Sequence, residues 1–263
     1  MKKLFYILLL STAASLVLNG CQSNSSRPDS ADDRTGELGS PVKRASAAII
    51  YVDLGTAYLQ EGNLGEAFKN ARKAVLIDSK LASGHNLLGV VHQRLGQRAK
   101  AREHLERAVS LEPRNPYALN ALGSFVCEEG DYADAAGYFE RALANPLYPT
   151  PWVAAHNAGQ CAERAGQMDK AESYYRNALR ANPRFAPSLL RMAQISFDTD
   201  NYLSARAYLQ RYTQVAPHTA ETLWLGLRTE RYLGDKDQVA SYRLKLRAQF
   251  PDSEQAKFLQ EAE

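Results

Sequence analysis

The sequence predicts an all-α solenoid of about six helical hairpins, on three observations. A Leu/Ala-Gly pair recurs as Leu54-Gly55, Leu88-Gly89, Leu122-Gly123 and Ala158-Gly159, at spacings of 34, 34 and 36 residues, and Ala193 holds the glycine's place 34 residues further on. Twelve residues after each of these positions stands an alanine: Ala67, Ala101, Ala135, Ala171 and Ala205. Glycines at 62, 96, 130, 166 and 234 punctuate the units, and Pro113, Pro183, Pro217 and Pro251 close them. Self-similarity at a fixed period of this length is the signature of a stacked-repeat architecture.

The stretch from Leu88 to Pro113 shows what one unit does. Leu88, Gly89 and His92 share a face of a first helix, Gly96 marks the turn, and Ala101, Leu105 and Ala108 line one stripe of a second helix that ends before Pro113. Small residues at Gly89, Ala101 and Ala108 let two helix axes approach closely. Bulky residues follow in register at Leu105, Phe139, Tyr175 and Leu209, and small ones at Ala74, Ala108, Ala142 and Ala178. The unit resembles the tetratricopeptide repeat in period and residue types, which implies a right-handed superhelical solenoid. The repeats fall at about 48–81, 82–115, 116–149, 152–185, 186–219 and 220–253, within an array spanning 45–263. In the sixth, Gly226 sits one place early, and Val239 and Arg243 are read at the alanine and bulky positions. Residues 254–263 are expected to begin a short capping helix. Between the third and fourth units, Pro146, Pro149 and Pro151 forbid continuous helix, so a local change in superhelix geometry is expected there.

At the start of the chain, the basic Met1-Lys2-Lys3 precedes a largely apolar stretch from Leu4 to Leu18, the plan of a secretory signal peptide. The residues Leu18-Asn19-Gly20-Cys21 resemble the bacterial lipobox, with Asn19 where a small or apolar residue is usual. Residues 1–20 are therefore read as a lipoprotein signal peptide and Cys21 as the lipidated residue. The alternatives are an ordinary secreted protein or an uncleaved anchor. Gln22, and not Asp, follows the cysteine, which by the same resemblance favours outer-membrane sorting. Residues 21–44, rich in Ser, Asp and Arg, carry too little apolar surface to form a core and read as a disordered tether. Its root-mean-square reach is roughly 25–30 Å.

Composition excludes some functions. Without Lys2 and Lys3 the chain has 30 basic and 29 acidic side chains, so neither nucleic acid nor an anionic lipid surface is an evident partner on charge. Cys127 and Cys161, the two cysteines besides Cys21, lie on adjacent first helices. In an oxidising compartment a disulfide between them is expected, the alternative being two buried free thiols. No second cysteine pair, CxxC or nearby histidine cluster suggests a metal site. No HExxH, P-loop or Gly-x-Ser-x-Gly occurs, and His85 and His92, seven residues apart, read as core packing. The chain is thus expected to bind without reacting, with no cofactor and no metal.

In a tetratricopeptide superhelix, first-helix positions 2, 5, 9, 12 and 13 line the concave groove. Here they include Ile49, Val52 and Leu59, then Asn86, Val90 and Arg94, then Tyr117, Asn120 and Ser124, and further along His156, Gln160, Arg164, Leu190, Gln194, Phe197, Trp224, Arg228 and Tyr232. Such a groove suits an extended or helical peptide. Ile49, Ile50, Val52 and Leu59 crowd the first repeat and make its amino-terminal end the foremost partner surface, with Asn86, Val90, Arg94 and Asn120 next.

Six stretches carry a more specific resemblance: Leu122-Gly-Ser-Phe-Val-Cys127, Asn145-Pro-Leu-Tyr148, Asn157-Ala-Gly-Gln-Cys161, Tyr208-Leu-Gln-Arg-Tyr212, Thr219-Ala-Glu-Thr-Leu-Trp-Leu-Gly-Leu-Arg228 and Phe250-Pro-Asp-Ser253. With the lipobox, they resemble the type IV pilus biogenesis and stability lipoproteins of the PilF/PilW type. That resemblance implies six repeats, a periplasmic disulfide matching Cys127 and Cys161, and a pilotin that delivers subunits of the outer-membrane secretin and promotes their multimerisation. The partners it implies are a secretin subunit, the lipoprotein sorting machinery and the membrane through a lipid anchor. The chain itself is expected to be a monomer on the periplasmic side of the outer membrane. The other reading of the same architecture is a periplasmic adaptor for peptidoglycan synthases or hydrolases.

Overall fold

A computed structural model describes residues 41–261; Cys21, the signal peptide and most of the tether lie outside the described residues. Among the described residues there are helices and no strands, paired as six hairpins: α1 (Pro41–Gln60) with α2 (Leu64–Ile77), α3 (Ala82–Arg94) with α4 (Arg98–Leu111), α5 (Pro116–Glu128) with α6 (Tyr132–Leu143), α7 (Pro151–Arg164) with α8 (Met168–Ala181), α9 (Ala186–Asp198) with α10 (Tyr202–Thr213), and α11 (Ala220–Leu233) with α12 (Lys236–Gln249). A short α13 (Glu254–Glu261) follows.

The repeated small residues cause the pairing. A Cβ added at Gly89 would stand 2.6 Å from Leu105, and one at Gly159 would stand 2.6 Å from the Tyr175 ring. Leu105, Phe139, Tyr175 and Leu209 are all buried, each packed against the glycine or alanine of its own first helix. The inter-helix turns need one left-handed residue. Gly62, Gly96, Gly130, Gly166 and Gly234 supply it, and in the fifth hairpin Asp200 takes φ 59°, the one non-glycine among the described residues with positive φ. Several second-helix starts are capped by side chains, as where the Asn63 carbonyl oxygen accepts from the Glu66 amide at 3.2 Å.

The sixth hairpin differs from its reading in the sequence. A Cβ at Gly226 would meet the Tyr242 ring at 2.7 Å, the relation Gly159 has to Tyr175, so Tyr242 and not Arg243 is the bulky residue. The glycine one place early shifts the close approach of the two helices by one residue. Val239 and the fully buried Leu246 then pack towards α13, whose Ala256 and Leu259 cover Leu223 and Leu227.

Between α6 and α7 the segment carrying Pro146 and Pro149 is non-helical, and Pro151 opens α7, where its missing N–H costs no hydrogen bond. Tyr148 folds back from this segment and is buried against Leu119, Ala142 and Ala154, with its ring edge-on to Tyr117 at 5.2 Å.

Candidate partner-binding face

Successive first helices touch one another, α1 with α3, α3 with α5, α5 with α7 and α9 with α11, whereas each second helix packs on its own partner and on the next first helix. The first helices therefore form one continuous face, on which the sequence-derived binding residues were placed. The structure sorts those residues into two groups. Ile49 and Ile50 are 48% and 63% exposed, and Arg94 is also exposed. Val52 and Leu59 are half-buried against the cluster of Leu87, Leu88 and Val91, and Val90 packs on the next cluster along. Asn120 Oδ1 accepts from Asn157 Nδ2 at 3.0 Å and so ties α5 to α7. Asn86 is half-buried, and its buried Oδ1 accepts no hydrogen bond from the described chain.

Two residues read as groove-lining are instead core. His156 is buried, with Nδ1 and Ser188 Oγ hydrogen-bonded at 3.0 Å and its ring against Tyr175 and Phe185. Burial first and the Arg191 guanidinium second push its pKa down to about 4. Phe197 is buried under the Arg228 guanidinium, which sits 4.2 Å from the ring centroid. In each case the next repeat supplies the cover.

Several contacts on this face have no single-repeat signature. Arg191 Nη2 donates to both Glu163 oxygens, at 2.6 and 2.7 Å, joining α9 to α7. Tyr202 and the exposed Tyr232 stack at 4.4 Å, and the Tyr202 phenol donates to Asp200 at 2.5 Å, a bond that pushes its pKa up to about 12. Behind α3, His104 of α4 joins His85 and His92. His85 Nδ1 lies 3.0 Å from His104 Nδ1, and the His92 ring stacks on His104 with centroids 5.4 Å apart. Desolvation and the two neighbouring imidazoles lower the His104 pKa. Among the described residues no three His, Cys, Asp or Glu side chains are placed to hold a metal ion.

Cys127 at the end of α5 and Cys161 in α7 are joined as a buried disulfide with Cα atoms 5.8 Å apart. It crosses from the third to the fourth repeat, as does the Asn120–Asn157 bond.

The amino-terminal end of the face has no preceding repeat among the described residues. Leu88 and Leu122 precede the close-contact glycines of their helices and are 4% and 2% exposed, because the preceding repeat covers them. Leu54, at the same place in the first repeat, is 42% exposed and lies on the same helix as Ile49 and Ile50. The end of α1 thus presents an inter-repeat contact surface that no described residue covers.

A stack of helical hairpins with a continuous first-helix face and no reactive constellation among its described residues defines a tetratricopeptide scaffold. Tetratricopeptide-repeat models match residues 48–81 and 86–150, and a middle tetratricopeptide-like domain model of cilia- and flagella-associated protein 70 matches residues 128–248. The type IV pilus assembly protein PilF of Pseudomonas aeruginosa is 32% identical over 210 residues, 80% of this chain and 83% of its own. A solved structure of Pseudomonas aeruginosa PilF superposes with TM-score 0.74 at 31% identity, covering 84% of this chain and 99% of that one. The crystal structure of PilW, described as a widely conserved type IV pilus biogenesis factor, gives 0.71 at 28% identity over the same shares. The chain belongs to the PilF/PilW family of tetratricopeptide type IV pilus assembly proteins, which are non-enzymatic. Among the described residues no helix is long and apolar enough to cross a membrane.

Proposed function

We propose that this protein is an outer-membrane lipoprotein, anchored through Cys21, that binds secretin subunits with the amino-terminal end of its repeat array and promotes their multimerisation in the outer membrane. The observation that carries the reading is the end of α1, where Leu54, Ile49 and Ile50, at and beside a position that later repeats bury, are covered by no described residue. A partner helix laid there would take the place of a preceding repeat and gain the burial that Leu88 and Leu122 already have, about 25 cal/mol for each Å² of apolar surface removed from water.

Acylation at Cys21 would hand the protein, with its bound subunit, to the lipoprotein sorting machinery. Tethering beneath the outer membrane then raises the local concentration of subunits, and ring assembly follows without any new bond. The test is the amount of SDS-resistant secretin multimer in outer-membrane fractions with and without this gene, and with Cys21→Ala. Multimers should fall in both, with monomer retained; unchanged multimers in the deletion would rule out the secretin as client, and unchanged multimers in Cys21→Ala alone would remove the lipid from the mechanism.

A further inference from the structure

The junctions between repeats two and three and between repeats three and four use the same positions with different residues, and the difference leaves one of them empty. In the former, Arg98 and Arg102 of α4 lie over the Phe125 ring, each guanidinium carbon 5.5 Å from the centroid. Both pair with Glu129 at the end of α5, and Arg102 also donates to Glu106 at 3.2 Å. The cleft between the second helices α4 and α6 is thereby plugged from within the chain.

One repeat later, counting 34 residues along the second helix and 36 along the first, Tyr132 replaces Arg98, Ala136 replaces Arg102, and Ala165 replaces Glu129. Phe125 becomes Cys161, which is held in the disulfide, and Val126 becomes Ala162. All but the first of these changes remove substantial volume, and a cavity of about 310 Å³ lies where the plug was, between α6 and α8, lined by Ala136, Ala162 and Ala165 and by the half-buried Tyr132 and Tyr174. One element of the earlier junction is kept. Glu140 stands where Glu106 accepts from Arg102, and at the cavity mouth it has no ion-pair partner among the described residues. Burial, and after it the nearby Glu140 carboxylate, raises the pKa of the half-buried Tyr174 phenol. On the opposite lip, counting 36 residues from α6 to α8 as for Ala135 and Ala171, Lys170 replaces Asp134.

We infer that this cavity, on the side of the array away from the first-helix face, is a second docking site that receives an arginine side chain of a partner protein. The guanidinium would lie against the half-buried Tyr132 and Tyr174 rings that line the cavity and donate to Glu140, as Arg102 donates to Glu106 one junction earlier, with a side chain from outside. An aromatic face and a carboxylate at hydrogen-bond range suit guanidinium better than a lysine ammonium, whose hydration is stronger and whose geometry is not planar.

The test titrates the full-length protein, labelled with ¹³C in its alanine methyls, with the blocked tripeptide acetyl-Gly-Arg-Gly-amide and with its Lys and Trp counterparts. The Arg peptide should move the methyls of Ala136, Ala162 and Ala165 saturably, with a Kd on the order of millimolar, as fits one anchored side chain. Glu140→Gln should weaken it about tenfold, Lys170→Glu should tighten it severalfold by restoring the acid of the earlier junction, and Ala136→Arg should abolish it by plugging the cavity from within. Glu140→Gln alters an exposed side chain and keeps the fold, so the result does not hang on the Ala136→Arg variant. No saturable shift, an equal response to the Trp peptide, or indifference to Glu140→Gln would each overturn the assignment.

Discussion

At the carboxyl end of the array, α13 lays Ala256 and Leu259 over Leu223, Leu227 and Leu246, whereas at the amino end no described residue covers Ile49, Ile50 and Leu54 of α1. Both ends face the same problem, since each repeat buries its flank only against a neighbour and a terminal repeat lacks one. The carboxyl end solves it with a half-repeat whose exposed side bears Glu254 and Lys257, together with Phe258, half-exposed beside Trp224. The amino end leaves it unsolved within residues 41–261. A surface that costs solubility when bare is a place where a partner gains most by binding.

Removing the cap should therefore have the largest effect. Leu259→Asp places a charge against Leu223 and Leu246, both fully buried, and should cost about 4 kcal/mol. Urea unfolding should show a separate early transition of the sixth hairpin, and hydrogen exchange should localise it to α11 and α12. A single transition shifted as a whole would mean that the cap stabilises the array globally and not its own end.

Acid should attack between the ends. His156 bridges α7 and α9 through Ser188, and its pKa falls from its ordinary 6.5 to about 4 on folding. The unfolded chain thus binds a proton that the folded chain refuses, so stability is complete above about pH 6.5 and is lost as the pH falls towards 4, by about 3 kcal/mol. In His156→Gln that loss should shrink, measured as the difference in urea midpoint between pH 7.5 and pH 4.5. An unchanged pH dependence would assign it elsewhere, with His104 and His218, also lowered by burial, as the next groups to replace.

The fifth turn offers a smaller gain. Asp200 holds the left-handed conformation that glycine holds in the other turns, at a strain cost of about 1 kcal/mol. Asp200→Gly should raise stability by about 0.5 kcal/mol, the relief being partly offset by loss of the hydrogen bond from Tyr202. Tyr202→Phe in the same background should then be neutral.

How much of this was legible in the sequence depends on whether a contact lies inside one repeat or across two. The Gly89–Leu105 and Gly159–Tyr175 approaches are intra-hairpin and follow from the period alone, so the helical array was readable. A groove template applied uniformly to every repeat failed at His156 and Phe197, because the repeat position fixes which way a side chain leaves its helix but not what the next hairpin lays over it. For His156 the cover is Phe185 and Ser188; for Phe197 it is Arg228. His104 escaped notice for a related reason. Its partners His85 and His92 sit on another helix, and 19 residues of separation show no periodic link. Asp200 had no signal beyond the missing glycine, and Gly226 misplaced the sixth register because one deleted residue moves every later position.

The sharpest use of the contrast between the ends is a change that leaves stability almost untouched. Ile49→Ser and Ile50→Ser change side chains that are already 48% and 63% exposed, so folding should change by no more than about 0.5 kcal/mol. If the bare end of α1 exists to receive a partner, the same pair of changes should reduce the SDS-resistant secretin multimer sharply, while Leu259→Asp, for all its cost in stability, should reduce it only in proportion to the protein lost. The two ends would then be separated by function as well as by covering. Multimer unaffected by Ile49→Ser with Ile50→Ser, at normal levels of folded protein, would move the binding site off the open end and onto the first-helix face further along, where Asn86 and Arg94 become the positions to change.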